Sequence, residues 1–301
     1  MNQIETTTRL IQRAMDPSKG LGAAAEPAPR TRFNRTIELS RSYASGELPL
    51  AEVKAVAKAT GTKINDVFLA IIGGALRRYL DRKGELPSKP LVAGCPVSLR
   101  QAGDESTNNQ VTMMLVSCAS DEADPLRRLL KVAASSARAK GLTADIAGSY
   151  DPDPALPGLP AMLAAAAQLV DRFNLADLAG ATFPCNLVVS NVPGPGAQLY
   201  SNGARMLTHY PVSLPVHGQG LNITVQSYLD QMFFAVTACA KALPDAGRLR
   251  DDMLEAFAKL QEAMGPSDAT QHEAPEDAAP APSRSEEVGD SSLAEIRDRA
   301  A

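Results

Sequence analysis

Residues 184–240 constrain the fold more than any other part of the chain, because their apolar residues recur with the two-residue period of a β-strand. Apolar and polar residues alternate over Leu221–Val225, and Met232, Phe234 and Val236 continue the two-residue spacing after a turn. An earlier β-rich run ends in the sequence NVPGPG, Asn191–Gly196, whose prolines and glycines indicate a tight turn. The pattern predicts half-buried antiparallel strands.

The remainder of the chain predicts helices and a few buried strands. Pro49 opens a helix that Gly61 can end in a left-handed conformation. A second helix, from Asn65-Asp66 to Leu80, is apolar nearly all round, which argues for burial. The further predictions are an extended strand within residues 32–45, strands at Leu91–Val97 and Gln110–Cys118, helices at 124–140, 161–179 and 244–260, and a loop over 141–160. Together they predict an α/β fold, a mixed sheet with helices on one side.

Composition divides the chain into three parts. Residues 1–31 read as an extension and linker, residues 32–264 as the folded domain, and residues 265–301 as a disordered acidic tail. The tail holds nine acidic and three basic residues, a net charge of −6, so the rest of the −4 chain carries about +2. A nearly neutral body with an acidic tail argues against nucleic-acid binding.

The cysteines and the apolar runs bear on cellular location. Cys95, Cys118, Cys185 and Cys239 have no CxxC spacing, which predicts buried free thiols in a reducing cytoplasm. Residues 1–15 lack the apolar centre of a secretion signal, and no run of about 18 apolar residues occurs. The alternating Asp-Pro run at 151–154 indicates an exposed turn, so no metal is expected.

Common catalytic motifs are missing from the chain. It contains no GxSxG elbow, HExxH or phosphate-binding loop of the Walker type. Its histidines are His209, His217 and His272, and no two are adjacent. His217 is a remote candidate for a base because imidazole titrates near neutrality, but no nucleophile or carboxylate partner is identifiable beside it.

Several separated segments, in a fixed order between Arg32 and Leu260, resemble the bacterial wax ester synthase/diacylglycerol acyltransferase (WS/DGAT) family, specifically its C-terminal half. The segments are TKINDV at 62–67, GALRRYL at 74–80, CPVSLR at 95–100, NQVTMMLVS at 109–117, DPLRRL at 124–129, SNVPGP at 190–195 and GQGLNITV at 218–225. Each is weak alone, and their order and spacing carry the resemblance.

The resemblance implies a fold like that of chloramphenicol acetyltransferase, in which two α/β halves enclose a tunnel. It implies O-acyl transfer from acyl-CoA, as a substrate and not a cofactor, to diacylglycerol or a long-chain alcohol. A general base in an HHxxxDG motif of the N-terminal half would activate the hydroxyl. This chain has no HHxxxDG, so the resemblance implies that it shapes the tunnel and is inactive alone.

The resemblance also marks polar positions near the tunnel or the seam between halves. These candidates are Asn65, Asp66, Asn109, Ser190, Asn191, Gly220, Asn222 and Thr224. Helix capping for the Asn65-Asp66 pair, and turn or strand-end hydrogen bonding for Asn191 and Asn222, are the structural alternatives. The sequence departs from the family at Asn108, Ala240 and Leu229-Asp230, where glycine, arginine and a hairpin glycine are expected.

The missing base leaves two main hypotheses. The chain is either an acyltransferase half that assembles with an N-terminal-half polypeptide or with itself, or a non-catalytic acyl-chain-binding or interaction module. An unassembled half would expose a large apolar surface, which favours a partner. Peripheral contact with a membrane or lipid inclusions is compatible with the sequence.

Overall fold

The computed structural model describes residue 23, residues 27–98, 111–147, 172, 177 and 183–265. Predictions for residues 1–22, for Asn109, for most of the 161–179 helix and for the tail lie outside these residues. The chain divides into two compact units, Met1–Gly265 and Pro266–Ala301. The elements of the first unit are β1 (Arg41–Pro49), α1 (Leu50–Thr60), α2 (Ile64–Asp81), β2 (Val92–Ser98), β3 (Val111–Ser117), α3 (Pro125–Ala147), β4 (Leu187–Val192), β5 (Tyr200–Ser201), β6 (Ala204–Arg205), β7 (Leu221–Tyr228), β8 (Gln231–Cys239) and α4 (Ala246–Met264).

Six of the strands form one mixed sheet in the order β1-β8-β7-β4-β2-β3. The pairs β1–β8, β7–β8 and β2–β3 are antiparallel, whereas β4 runs parallel to both β7 and β2. β5 and β6 form a separate two-stranded hairpin. The predicted mixed sheet is therefore confirmed, and β1, β2, β4 and β7 all point in one direction.

The helices cover one face of the sheet and enclose the core. In the shared register, Val189 of β4 lies beside Ile223 of β7, which lies opposite Val236 of β8, and all three are buried. Helix α2 packs on both α3 and α4, and the ring of Phe68 contacts that of Phe234 at 6.2 Å. Each such side chain stabilises the fold by about 1.5–3 kcal/mol relative to an exposed position. Within the described ranges, no helix combines the length and apolarity that a bilayer-spanning segment requires.

Residues 198–217, which connect β4 to β7, cross the opposite face of the sheet. The ring of Tyr210 meets that of Phe233 edge-on at 5.2 Å, and the hydroxyl of Tyr43 donates to the carbonyl of Pro211. The hydroxyl of Tyr228 accepts from the backbone N–H of Leu199 (3.0 Å) and donates to the carbonyl of Met206 (3.0 Å). This connection therefore lies on the sheet without a helix.

Most predicted elements agree with the structure within a few residues, but one boundary is wrong. Helix α3 begins as predicted, with Asp124 accepting from the N–H of Arg127 at 2.7 Å, yet it continues to Ala147 through part of the predicted 141–160 loop. Gly141 lies within this helix, where a single glycine costs only about 1 kcal/mol. Burial of part of the side chains of residues 142 and 143 offsets this cost.

A pair of buried amides ties the segment before β1 to the sheet. Asn34 and Asn186 are fully buried, and the Nδ2 of Asn186 donates to the Oδ1 of Asn34 at 2.8 Å. The Nδ2 of Asn34 donates to the carbonyls of Cys185 and Gly218, both at 3.0 Å. The Oδ1 of Asn186 accepts from the N–H of Val92 at 2.9 Å. The pair thus joins β2, β4 and the loop before β7 at one end of the sheet.

Replacing Asn34 with alanine is expected to lower the free energy of unfolding by about 3 kcal/mol, because several buried groups lose their partner at once. Asn186→Ala should cost a similar amount. Chemical denaturation of the single and double variants would measure both effects. Since the two side chains act as a unit, the double variant should lose clearly less than the sum; single-variant losses below about 0.5 kcal/mol would contradict this role.

The four cysteines are free and buried, which confirms the predicted buried thiols. Burial raises the pKa of Cys95 to about 12 and that of Cys185 to about 11. Burial also raises the pKa of Cys118 strongly. The thiolate is the reactive form, so these groups are chemically inert in the folded protein near neutral pH.

Native protein is therefore expected to resist a thiol-specific reagent such as DTNB at pH 8, whereas unfolded protein should react at four sites. Unfolded thiols ionise near pH 8.5, whereas burial raises the pKa of Cys95, Cys118 and Cys185 in the folded protein. These three thiols should therefore leave stability unchanged below that pH and lower it as the pH rises above it. Denaturation at pH 7 and pH 10 would show the difference. Rapid labelling of Cys95, Cys118 or Cys185 in the native state would contradict the assignment.

Candidate functional site

The carboxyl ends of β2, β4 and β7 meet at one edge of the sheet, termed here the carboxyl edge. Helix α2 begins at this edge, where the Nδ2 of Asn191, near the end of β4, lies 3.4 Å from the Oδ1 of Asn65. In open α/β sheets, ligands bind preferentially beyond the carboxyl ends of the strands. The edge is therefore the first place to look for a functional site.

Asp66 places a buried carboxylate in the first turn of α2. Its side chain is 4% exposed, and Oδ2 accepts from the N–H of Lys63 at 3.1 Å, as a helix-capping carboxylate does. The other oxygen, Oδ1, is buried and accepts no hydrogen bond from the described part of the chain. An unpartnered buried acceptor is costly. Capping therefore accounts for only one of the two oxygens.

The turn after β4 holds the carboxyl edge together. The N–H of Gly194 donates to the Oγ of Ser227 at 3.1 Å, and the N–H of Leu229 donates to the carbonyl of Pro195 at 3.3 Å. A Cβ on Gly194 would lie 1.7 Å from the carbonyl oxygen of Ser227. Only glycine fits this close approach, which fixes the end of β4 against the end of β7.

A second polar group occupies the opposite face of the sheet. The Oγ1 of Thr224 donates to the Oδ1 of Asn222 at 3.0 Å and lies 2.5 Å from the Oγ of Ser213. Asn222 and Thr224 are nearly buried, and Ser190 lies beside Thr224 in the β4–β7 register. Because successive strand residues point to opposite faces, Ser190 and Asn191 belong to different faces.

The structure thus divides the predicted site residues into separate groups. Asn65, Asp66 and Asn191 lie at the carboxyl edge on the helix side, whereas Ser190, Asn222 and Thr224 lie on the opposite face. Gly220 stands just before β7, roughly 25 Å from the other end of that strand. The N–H of Gly220 donates to the carbonyl of Phe33 at 2.8 Å. Gly220 therefore packs against the segment before β1 and lies away from the carboxyl edge.

His217 also lies at the amino end of β7, away from the carboxyl edge. Its Nδ1 accepts from the N–H of Ile37 at 3.2 Å, so the neutral ring carries its proton on Nε2. Taking up a further proton would place it on Nδ1 and break this bond. The geometry therefore disfavours His217 as a general base.

The six-stranded mixed sheet and its helices define the chain as a mixed α/β domain, and comparisons with known proteins identify its family. Residues 107–261 match the model of the WS/DGAT C-terminal domain, and residues 3–68 match that of the wax ester synthase/diacylglycerol acyltransferase catalytic domain. The first match covers more than half of the chain. The protein therefore belongs to the WS/DGAT family, as the sequence motifs predicted.

Individual relatives are similar over most of this chain. A putative diacylglycerol O-acyltransferase of Mycobacterium tuberculosis H37Rv is 40% identical over 245 residues, which are 79% of this chain and 47% of the relative. The O-acyltransferase WSD of Acinetobacter baylyi is 36% identical over 253 residues, 81% of this chain and 52% of the relative. The solved wax ester synthase/diacylglycerol acyltransferase of Marinobacter aquaeolei VT8 superposes with a TM-score of 0.60 at 31% identity, over 87% of this chain and 56% of that one. The chain therefore spans about half the length of these relatives.

Sequence reasoning missed the residues that hold the site in place. Asn34 gave no periodic signal, and Asn186 was overlooked within the apolar run CNLVVS, where a lone amide should have suggested a buried hydrogen-bonding role. Ser227 was missed because its role depends on the approach of Gly194 from a distant part of the chain. Such contacts have no local pattern.

Gly194→Ala is expected to destabilise the protein by about 2 kcal/mol or more, because the new methyl group would collide with backbone that cannot move aside cheaply. Gly196→Ala is the matched control, since a Cβ there meets nothing within 4 Å. Thermal denaturation of both variants tests the difference. Equal melting temperatures for the two would show that the turn does not pack as described.

Proposed function

We propose that the chain forms the C-terminal half of an O-acyltransferase that moves a fatty acyl group from acyl-CoA to diacylglycerol or a long-chain alcohol. The observation that carries this proposal is the match of residues 107–261 to the family's C-terminal domain in a chain that has no HHxxxDG motif. Relatives named as O-acyltransferases, at 36–40% identity, support the reaction class.

In this reaction a base removes the proton from the acceptor hydroxyl, and the oxygen attacks the thioester carbonyl. The new C–O bond forms, the oxyanion collapses, and the C–S bond breaks to release CoA, whose sulfur takes the proton back. The imidazole that moves this proton comes, in our proposal, from an HHxxxDG segment outside this 301-residue sequence. The present chain contributes tunnel wall and polar positions at the carboxyl edge.

An exposed apolar row supports the need for that second half. Val212, Leu214 and Val216 are 74%, 80% and 50% exposed, and their two-residue spacing places them on the same side of the extended connection before β7. The intervening Ser213 points the other way, onto Thr224. Rows of this kind mark contact surfaces in proteins. We propose that the row, termed the 212–216 row, docks against the half that carries HHxxxDG.

The acceptors proposed for the reaction are lipids, which reach the enzyme from a membrane or a lipid inclusion. We therefore propose peripheral contact with such a surface by the assembled enzyme. The acyl chain would enter between the two halves and would be shielded there from water.

The second candidate function is an acyl-chain-binding module without catalysis. The absence of HHxxxDG from the sequence favours it. It predicts that the chain binds acyl-CoA or fatty alcohol alone and gains no activity from a complementary half.

Acyl-CoA and diacylglycerol incubated with the chain alone should give no ester above background. Adding a polypeptide that consists of the family's N-terminal half, in which the resemblance implies HHxxxDG, should give turnover. The second histidine of that motif changed to alanine should abolish it, whereas His217→Ala in this chain should leave it unchanged.

Association of the two halves provides an independent measurement. Leu214→Glu should weaken it about tenfold or more, because it places a charge at a desolvated contact. Leu39→Glu is the matched control, since Leu39 is 96% exposed and lies outside the 212–216 row. Ester formed by the isolated chain, or complementary halves that neither associate nor turn over, would contradict the proposal.

A further inference from the structure

A cavity of about 320 Å³ opens where α2, α3 and α4 come together, away from the carboxyl edge. It is lined by the guanidinium groups of Arg77, Arg78 and Arg128, by Lys259, and by the carboxylates of Asp81 and Asp252. We propose that this cavity, termed the helix-junction cavity, binds a phosphate-bearing anion through Arg77 and Arg128. The proposal is independent of the acyl-transfer function.

Arg128 is a buried cation that forms no ion pair among the described residues, although Glu122 and Asp124 lie near enough to favour its charge. It is 6% exposed; its Nε and Nη2 donate to the carbonyl of Glu122 at 3.1 and 3.0 Å, and Nη2 also donates to the carbonyl of Ala123 at 2.8 Å. Its Nη1 donates to no group in the described part of the chain. A buried guanidinium keeps its charge, so its Nη1 offers charged donors to a ligand.

Arg77 provides the second charge. Its Nη1 donates to the carbonyls of Ser120 and Asp121, both at 3.0 Å, and the residue forms no ion pair among the described residues. Arg77 lies close enough to Arg128 for its charge, after the larger effect of burial, to lower the pKa of the Arg128 guanidinium. Two like charges side by side are mutually destabilising unless an anion comes between them.

The remaining charged groups of the cavity are largely neutralised within the protein. Arg78 forms ion pairs with Glu255 and Asp252, and Asp252 is also bound by Arg82. Lys259 pairs with Glu255 at 3.2 Å. Asp81 is exposed, where solvent screens its charge. Of the cations that line the cavity, Arg77 and Arg128 are therefore the two that form no ion pair within the described part of the chain.

Gly74 makes room for the buried arginine. A Cβ at this position of α2 would lie 2.4 Å from the Nη1 of Arg128 and 3.2 Å from the Cβ of Ala256. Glycine inside a helix costs about 1 kcal/mol relative to alanine, so its presence here has a packing reason. Any side chain at Gly74 would displace the guanidinium from its place in the cavity wall.

The guanidinium donors and the volume of the cavity together indicate which class of ligand it binds. The planar fork of a guanidinium matches the oxygens of a phosphate, and two such forks can hold one phosphate or a diphosphate. The cavity would otherwise hold roughly ten water molecules, which leaves space for either group. Arg77 follows Asn65 by twelve residues of α2, about 18 Å along the helix axis, so this is a second site and not part of the carboxyl edge.

Titration calorimetry with the intact chain tests the proposal. Inorganic phosphate, pyrophosphate and CoA serve as probes at constant ionic strength, with chloride and acetate as comparison anions. At least one phosphate-bearing probe should bind saturably, and Arg77→Gln should weaken that binding about tenfold. Arg127→Gln, which removes an equal charge from an exposed position outside the cavity, should change it less than twofold.

The relative affinities of inorganic phosphate, pyrophosphate and CoA identify the source of the phosphate group. Tighter binding of CoA than of the inorganic anions points to an organic phosphate ester, and equal or weaker binding points to a free anion. Gly74→Ala should also weaken binding while the variant still unfolds cooperatively. The proposal is overturned if none of the three phosphate probes binds saturably, or if Arg77→Gln binds as the unchanged protein does.

Discussion

The hydrogen bond between the buried amides of Asn34 and Asn186 is the constraint on which the arrangement of the sheet depends. Each amide satisfies backbone groups that the strands leave open: those of Cys185 and Gly218 on one side and that of Val92 on the other. Parallel pairing of β4 with β2 spans only Ala93–Leu187 and Gly94–Val188, so the ladder alone is short. The amide pair extends this pairing with side-chain bonds and brings the segment before β1 into the same network.

The sheet then separates two kinds of surface. Its helix side is a closed apolar core in which α2 is buried almost all round, and this side supplies Asn65, Asp66 and Asn191 at the carboxyl edge. The opposite side is crossed by an irregular connection that presents apolar side chains outward. The assembly of two halves that we propose would use this division, since one side forms a closed core within this chain and the other side would contact the second half. The missing HHxxxDG motif and the 212–216 row are consistent with each other in this respect.

Local periodicity predicted most of the fold, but it predicted little of the candidate site. Alternation over Leu221–Val225 identified β7, although the structure buries both faces of this strand where the alternation predicted one. The apolar character of residues 67–80 identified a buried α2, because burial acts on nearly every residue of that helix. Asp66 was recognised as a helix cap, but the unpartnered state of its second oxygen depends on what surrounds it in space. Arg128 is buried because α2 and α4 pack around it, and the local sequence gives no sign of this burial. Sequence spacing carries no information about these distant approaches.

The close contact between the Gly194 backbone and Ser227 has a mechanical consequence for the carboxyl edge. With the N–H of Gly194 and the carbonyl of Pro195 both bonded to the chain around β7, the two parallel strands cannot spread apart at this end without rupturing both bonds. The ends of β4 and β7 therefore form a rigid unit. If ligands of different size bind at the carboxyl edge, the adjustment must come from the start of α2, which carries Asn65, or from residues 198–217 on the opposite face.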